Sequence, residues 1–341
     1  MRHWYVTGPR SLSCVDEPQP QPAAGEVLVH TAYTALSPGS NVHGYLHGRF
    51  GTAYAPRRTE VLYMGSGTIG AIGAGVDPAL LGQPVSIQGI GHQAAAVLPA
   101  GQVHVIPAGL SLRDASLAYL SAWSLSALHL GGYAAAETVA VIGLGLVGAS
   151  AALMAECVGA RVLALDVAPE RLEAARDLGL AALAHPDDAA SVAAGLGSDG
   201  PDLIIESSGS WAGVQLALRL ARNYTRIAAM GMYREPPPAE LAVQLFNDAF
   251  TYPSKFHYQR LQLIGCGSDP DALAEPMPRM ATRRRNYQYT LAQAARGRLP
   301  LGRLITTCTP ADAIGETLER FAAGERRLVG AVFAWEQQPA T

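Results

Sequence analysis

The chain has 341 residues, enough for two domains and a sizeable core, and its 49% hydrophobic and 16% charged residues exclude an intrinsically disordered polypeptide. A formal net charge of -3 gives no electrostatic basis for binding nucleic acid or an anionic membrane. Lys255 is the only lysine, so the basic charge is otherwise arginine.

In chain order, the first hundred residues read as short strands over 2–7, 26–35, 65–72, 84–87 and 94–98, separated by glycine and proline. No long helix is expected before about Asp114, so this part reads as a barrel-like β lobe. A helix over 112–129 follows, then a strand at 138–142 and a helix at 146–158. The alternation continues with strand 161–166, helix 169–178, strand 202–205, helix 211–221 and strand 226–230. Such alternation predicts a parallel sheet with helices on both faces. Pro236-Pro237-Pro238 marks an exposed link, and a strand is expected at 261–265. Thr309-Pro310-Ala311-Asp312 has the form of a helix start with a capping threonine, and 327–333 reads as a last strand.

Residues 138–160 are long enough to cross a bilayer and carry only Glu156 as a charge. Their glycines and strand-then-helix pattern predict a buried strand, turn and helix instead. The N-terminus lacks the apolar run of a secretory signal. Cys14, Cys157, Cys266 and Cys308 are isolated in sequence, without the spacing of a zinc knuckle or redox motif. A reducing cytoplasm is therefore expected.

The sharpest signal is VAVIGLGLVGASAALMAECVGARVLALD. A β run ends at Ile142, and Gly143-Leu144-Gly145-Leu146-Val147-Gly148 opens a helix. Gly143 suits a tight turn, Gly145 lets a pyrophosphate approach the backbone, and Gly148 lets helix and strand pack closely. The N–H groups at Leu146, Val147 and Gly148 then face a phosphate with the positive end of the helix. Asp166, eighteen residues after Gly148, ends the next strand, where a carboxylate accepts from ribose hydroxyls and repels a 2′-phosphate. NAD(H) is the expected cofactor, with NADP(H) left open by the nearby Arg171. Ser207, in IIESSG, is expected at the same carboxyl edge of the sheet.

Taken in order, GEVLVHTAYTALSPGSNVHGYLHG, GSGTIGAIGAGV, GLGLVG, IIESSG and LITTCTPADAIGETLERFAAG resemble the landmarks of the medium-chain dehydrogenase/reductase superfamily over essentially the whole chain. The resemblance implies an α/β protein with a GroES-like, β-rich catalytic domain and a Rossmann, doubly wound cofactor domain. The expected limits are 1–115 for the catalytic domain, 116–267 for the cofactor domain and 268–341 for a segment completing the first. It also implies a small-molecule substrate and a homodimer or homotetramer. Zinc-dependent members carry cysteine in a CGSDxH-like segment, where this chain has Pro38-Gly39-Ser40-Asn41-Val42-His43. Their GHExxG motif corresponds to Leu62-Tyr63-Met64-Gly65-Ser66-Gly67, and their four-cysteine lobe has no counterpart. No zinc is therefore expected. TALSPGS and FHYQRLQLIG resemble a zinc-free branch typified by bacteriochlorophyllide hydroxyethyl dehydrogenases.

Hydride transfer to a carbonyl needs a donor for the developing alkoxide and a source of protons. By the resemblance, Ser40 and His43 match the hydroxyl and histidine of the family's proton relay. Tyr63 replaces a metal ligand, and its phenol either donates to the substrate oxygen or fills the vacated space. Ser37 and Tyr119 are further candidates, and His92 is either near the cleft or structural. Phe256–Arg260 reads as pocket lining or core, and Arg283-Arg284-Arg285 as an anion contact or a solvated face. The expectation is a zinc-independent, NAD(H)-dependent enzyme interconverting an alcohol and a ketone or aldehyde in specialised metabolism. An NADPH-dependent enoyl or quinone reductase and a non-catalytic or redox-neutral NAD(P)-binding protein are the alternatives.

Overall fold

Val27, Leu28 and Val29 are all buried within the strand Glu26–Ala35, which therefore needs cover on both faces. It pairs antiparallel with Met64–Ile72, Ala95–Pro99 and Gly330–Ala334. The sheet continues to Ile305–Pro310 on one side and through Pro84–Gln88 to His104–Val105 on the other. Its core is built from Val27, Val29, Ile69, Val85, Ile87 and Leu98. Two strands of this sheet thus come from the end of the chain. The computed structural model describes residues 1–47, 59–61, 63–195, 199–266 and 283–335. It divides the chain into one unit of Met1–Leu120 with Tyr287–Thr341 and a second of Ser121–Asn286. The expected boundary at 267/268 falls outside the described residues.

Among the described residues, the second unit holds six parallel strands. Their order is Leu183–Ala184, Arg161–Leu165, Thr138–Ile142, Leu203–Glu206, Arg226–Ala229 and Gln262–Gly265. Ala140, Ile142, Leu163, Ile204 and Ile227 face the helices Ala189–Gly195, Trp211–Leu220 and Ala239–Phe250 in one core. Residues 138–160 form a strand, a turn and the helix Leu146–Cys157. No helix among the described residues is long and apolar enough to cross a membrane.

Three local expectations need correction. A helix, Pro38–His47, occurs well before Asp114. Ser37 and proline at its first position are the start signal, and the Asn41 Oδ1 accepts the Ser37 N–H at 2.8 Å. Gly39, Gly44 and Val42 dilute the helical pattern, which hid it. The expected helix over 112–129 is two, Leu112–Ala115 and Ala118–Leu130. A turn at Ser116 and Leu117 separates them, and the Ser66 and Ser86 hydroxyls donate to the carbonyls of Leu112 and Ala115 at 2.6 and 2.7 Å. Thr309 is no cap: it pairs with Phe333 in the sheet, its buried hydroxyl lacks a partner, and the α-helix begins at Ile314.

Candidate active site

In the second unit, the chain leaves Thr138–Ile142 towards one edge of the sheet, then returns to Leu203–Glu206 on that strand's other side. Open α/β sheets bind ligands outside the carboxyl ends of two such neighbours. Gly143 stands at one end with φ +88°, and Ser207 at the other. A Cβ on Gly148 would sit 1.7 Å from the Gly143 carbonyl oxygen, so only glycine lets the helix start so close to the strand. Gly145 differs. Its φ of -66° suits any residue, and a Cβ there would meet no atom within 4 Å. The fold does not need glycine at 145, whereas a ligand lying against the turn would. Leu146, Val147 and Gly148 form the first helical turn, whose N–H groups lack helical acceptors and carry the positive helix end. Leu146 is buried and Val147 half-buried, so the backbone is what they offer.

Asp166 follows Arg161–Leu165. Its Oδ2 accepts the Leu144 N–H at 2.7 Å and its Oδ1 the Ala168 N–H at 2.8 Å, a bracing duty the sequence did not announce. Each oxygen keeps acceptor capacity for a ribose hydroxyl. Arg171 is half-buried in the first turn of Pro169–Asp177. The Ser207 hydroxyl lies 2.8 Å from the Gly143 carbonyl and 3.0 Å from that of Ile142, so it holds the glycine turn from across the crevice. These residues make a cradle that fits a dinucleotide.

In the first unit, the Pro38–His47 helix brings Ser37 and Ser40 to Tyr63. Both serine hydroxyls lie near enough to the Tyr63 phenol to act on its ionisation. Burial pushes this phenol up to about 12, although the serines act in the other direction. It therefore remains a neutral proton donor at any ordinary pH. The Tyr119 ring stands edge-on to Tyr63 at 5.8 Å. His43 lies three residues beyond Ser40 on the helix, half-buried, with its ring 5.0 Å from that of His47. Leu62, which opens the second motif, lies outside the described residues.

His92 is structural. Its Nε2 donates to the Ala311 carbonyl at 2.8 Å, leaving Nδ1 to accept the Thr34 hydroxyl at 2.7 Å. Burial pushes its pKa down to about 3. Phe256 packs into the second unit's core and stacks on Phe250 at 4.7 Å.

Zinc-dependent chemistry needs thiolate, imidazole or carboxylate ligands. Around Tyr63 the donors are neutral hydroxyls, and among the described residues no three His, Cys, Asp or Glu side chains gather as a metal site. The hydroxyls around Tyr63 suit an alcohol or carbonyl oxygen.

A β-rich unit carrying a hydroxyl cluster and a parallel-sheet unit carrying a dinucleotide cradle define an oxidoreductase of the alcohol dehydrogenase type. Residues 147–268 match the family model of the zinc-binding dehydrogenases, a stretch that includes neither Pro38 nor Tyr63. The 2-dehydro-3-deoxy-L-galactonate 5-dehydrogenase of Pseudoalteromonas atlantica is 23% identical, over 90% of this chain and 91% of its own. The family match, the curated relatives and the shared fold support the medium-chain dehydrogenase/reductase superfamily, with its GroES-like and Rossmann domains. Two Escherichia coli structures share the fold. An alcohol dehydrogenase complexed with NADH has a TM-score of 0.77 at 20% identity, covering 98% of this chain and 99% of that one. Galactitol-1-phosphate dehydrogenase has a TM-score of 0.80 at 19% identity, covering 98% and 100%.

Proposed function

We propose that this chain is a metal-independent oxidoreductase that uses NAD(H) to interconvert an alcohol and a ketone or aldehyde. The observation that carries the reading is the position of the Tyr63 phenol, beside Ser37 and Ser40 and with the Tyr119 ring edge-on at 5.8 Å. When bound, the nicotinamide supplies or accepts the hydride. Gly143, Gly145, Leu146, Val147 and Gly148 hold the pyrophosphate by backbone, and Asp166 takes the adenosine ribose, with Arg171 and Ser207 at the rim and base of the turn. The negative charge of Asp166 favours NAD(H) over NADP(H). Tyr63 donates to the substrate oxygen as negative charge grows there, the service a metal performs in zinc-dependent relatives. Ser40 passes the proton onward, and His43 exchanges it with solvent.

Assembly as a homodimer or homotetramer is supported by Leu263, exposed on the outermost strand Gln262–Gly265. Val243, Phe246 and Phe250, exposed on Ala239–Phe250, add to that surface.

The test is Tyr63→Phe. It keeps the ring and removes the donor, and kcat should fall about 10²–10³-fold with cofactor binding unchanged. A rate within about twofold of the parent protein would sink the proposal.

A further inference from the structure

Glu206 is fully buried at the carboxyl end of Leu203–Glu206, yet among the described residues it has no ion-pair partner. Neutral donors satisfy it. Oε1 accepts the Ser208 N–H at 2.9 Å and the Ser208 hydroxyl, and Oε2 accepts the Tyr233 hydroxyl. Its main-chain carbonyl accepts the Met230 and Gly231 N–H groups at 2.8 and 2.9 Å. A Cβ on Gly231 would lie 2.6 Å from Oε2, so the carboxylate and the next loop are fitted closely. The Tyr233 ring stacks on Trp211 at 4.8 Å, and the Trp211 indole N–H donates to the Glu235 carbonyl at 2.8 Å. The loop over 230–235 is thus fastened at its start, middle and end to the loop over 206–211.

We propose that Glu206 is a positioning residue that sets the shape of these two exit loops for the nicotinamide half of the cofactor. The inference rests on the cofactor reading above. A dinucleotide lies across the switch point with one half on each side. Asp166 assigns the adenosine half to the side of Arg161–Leu165. The nicotinamide half therefore falls to the side of Leu203–Glu206 and Arg226–Ala229, the two strands whose exits Glu206 ties together. Burial and the Glu206 charge push the Tyr233 phenol upward, so it stays protonated and donating at working pH. A buried carboxylate is costly to keep for packing alone. Here it fixes a surface rather than filling a space.

The test compares ADP-ribose with NADH on the full-length protein, its Tyr233→Phe variant and its Glu206→Gln variant, by titration calorimetry. ADP-ribose binding should stay within about twofold of the parent value. NADH should lose about tenfold, the size expected for one hydrogen bond to a charged group. Equal losses for both ligands would mean that Glu206 only supports the fold, and no loss for either would mean that it sets nothing. Both outcomes overturn the inference while leaving the cofactor reading intact. A parent protein that binds neither ligand overturns that reading and this inference with it. Thermal melting shows which variant is folded, and either one alone decides the question.

Discussion

Gly145 and Gly148 are the same residue under different constraints. At 148 the missing side chain is demanded by the protein, because a Cβ would collide with the Gly143 carbonyl. At 145 the protein does not demand it, and on the proposed reading the bound pyrophosphate does. Gly145→Ala is therefore expected to melt within about 1 °C of the parent while losing at least about tenfold in NADH affinity, read by nicotinamide fluorescence. Gly148→Ala should instead lower the melting point by several degrees, since strand and helix must separate. An alanine at 145 that bound NADH normally would mean that the cradle holds no pyrophosphate.

Among the elements, the strand Glu26–Ala35 pairs directly with Gly330–Ala334, and one histidine adds a second tie to the end of the chain. His92 receives Thr34 and donates to Ala311, while the Trp335 indole donates to the same Thr34 hydroxyl at 3.1 Å. Only the neutral imidazole fits this arrangement. Its pKa falls from 6.5 unfolded to about 3 folded, so the unfolded chain binds the extra proton first. The stability it contributes is fully present above pH 6.5 and is lost as pH falls from there towards 3, at about 1.4 kcal/mol per pH unit. Urea unfolding between pH 7 and 4 should show that slope, and His92→Gln should flatten it. An unchanged slope would place the titrating group elsewhere. The same element scale explains the missed helices. Pro38–His47 is diluted by glycine and shows no clean period, whereas Ala239–Phe250, with Leu245 inside and Phe246 outside, is periodic and is overlooked behind the proline run.

For the whole molecule, the parallel sheet was legible because its strands are continuous apolar runs with turn residues between them, as in Thr138–Ile142 and Leu203–Glu206. The glycine turn was legible because each glycine has a distinct physical task. The Tyr63 cluster was half legible. Motif positions singled out Ser40 and Tyr63, but only the fold shows Ser37 and Ser40 converging on one phenol. Glu206 stood in a quoted motif without a role, because its partner Tyr233 lies 27 residues away and beyond another strand. A metal-free mechanism also makes a molecular-scale prediction. Dialysis against a strong chelator should leave turnover within about twofold of the untreated enzyme, and adding zinc should not raise it. Loss of activity on dialysis, restored by zinc, would overturn it.

Asp166 carries a consequence for how this protein can evolve. If Asp166 selects the cofactor as proposed, the carboxylate that discriminates also anchors the turn that would grip either dinucleotide, through Leu144 and Ala168. A single substitution that welcomes a 2′-phosphate therefore slackens the grip on every dinucleotide. The path from one cofactor to the other passes through a weaker enzyme unless a second change restores the anchor first. Preference is here a property inherited with the architecture, and it is harder to trade than one side chain would suggest.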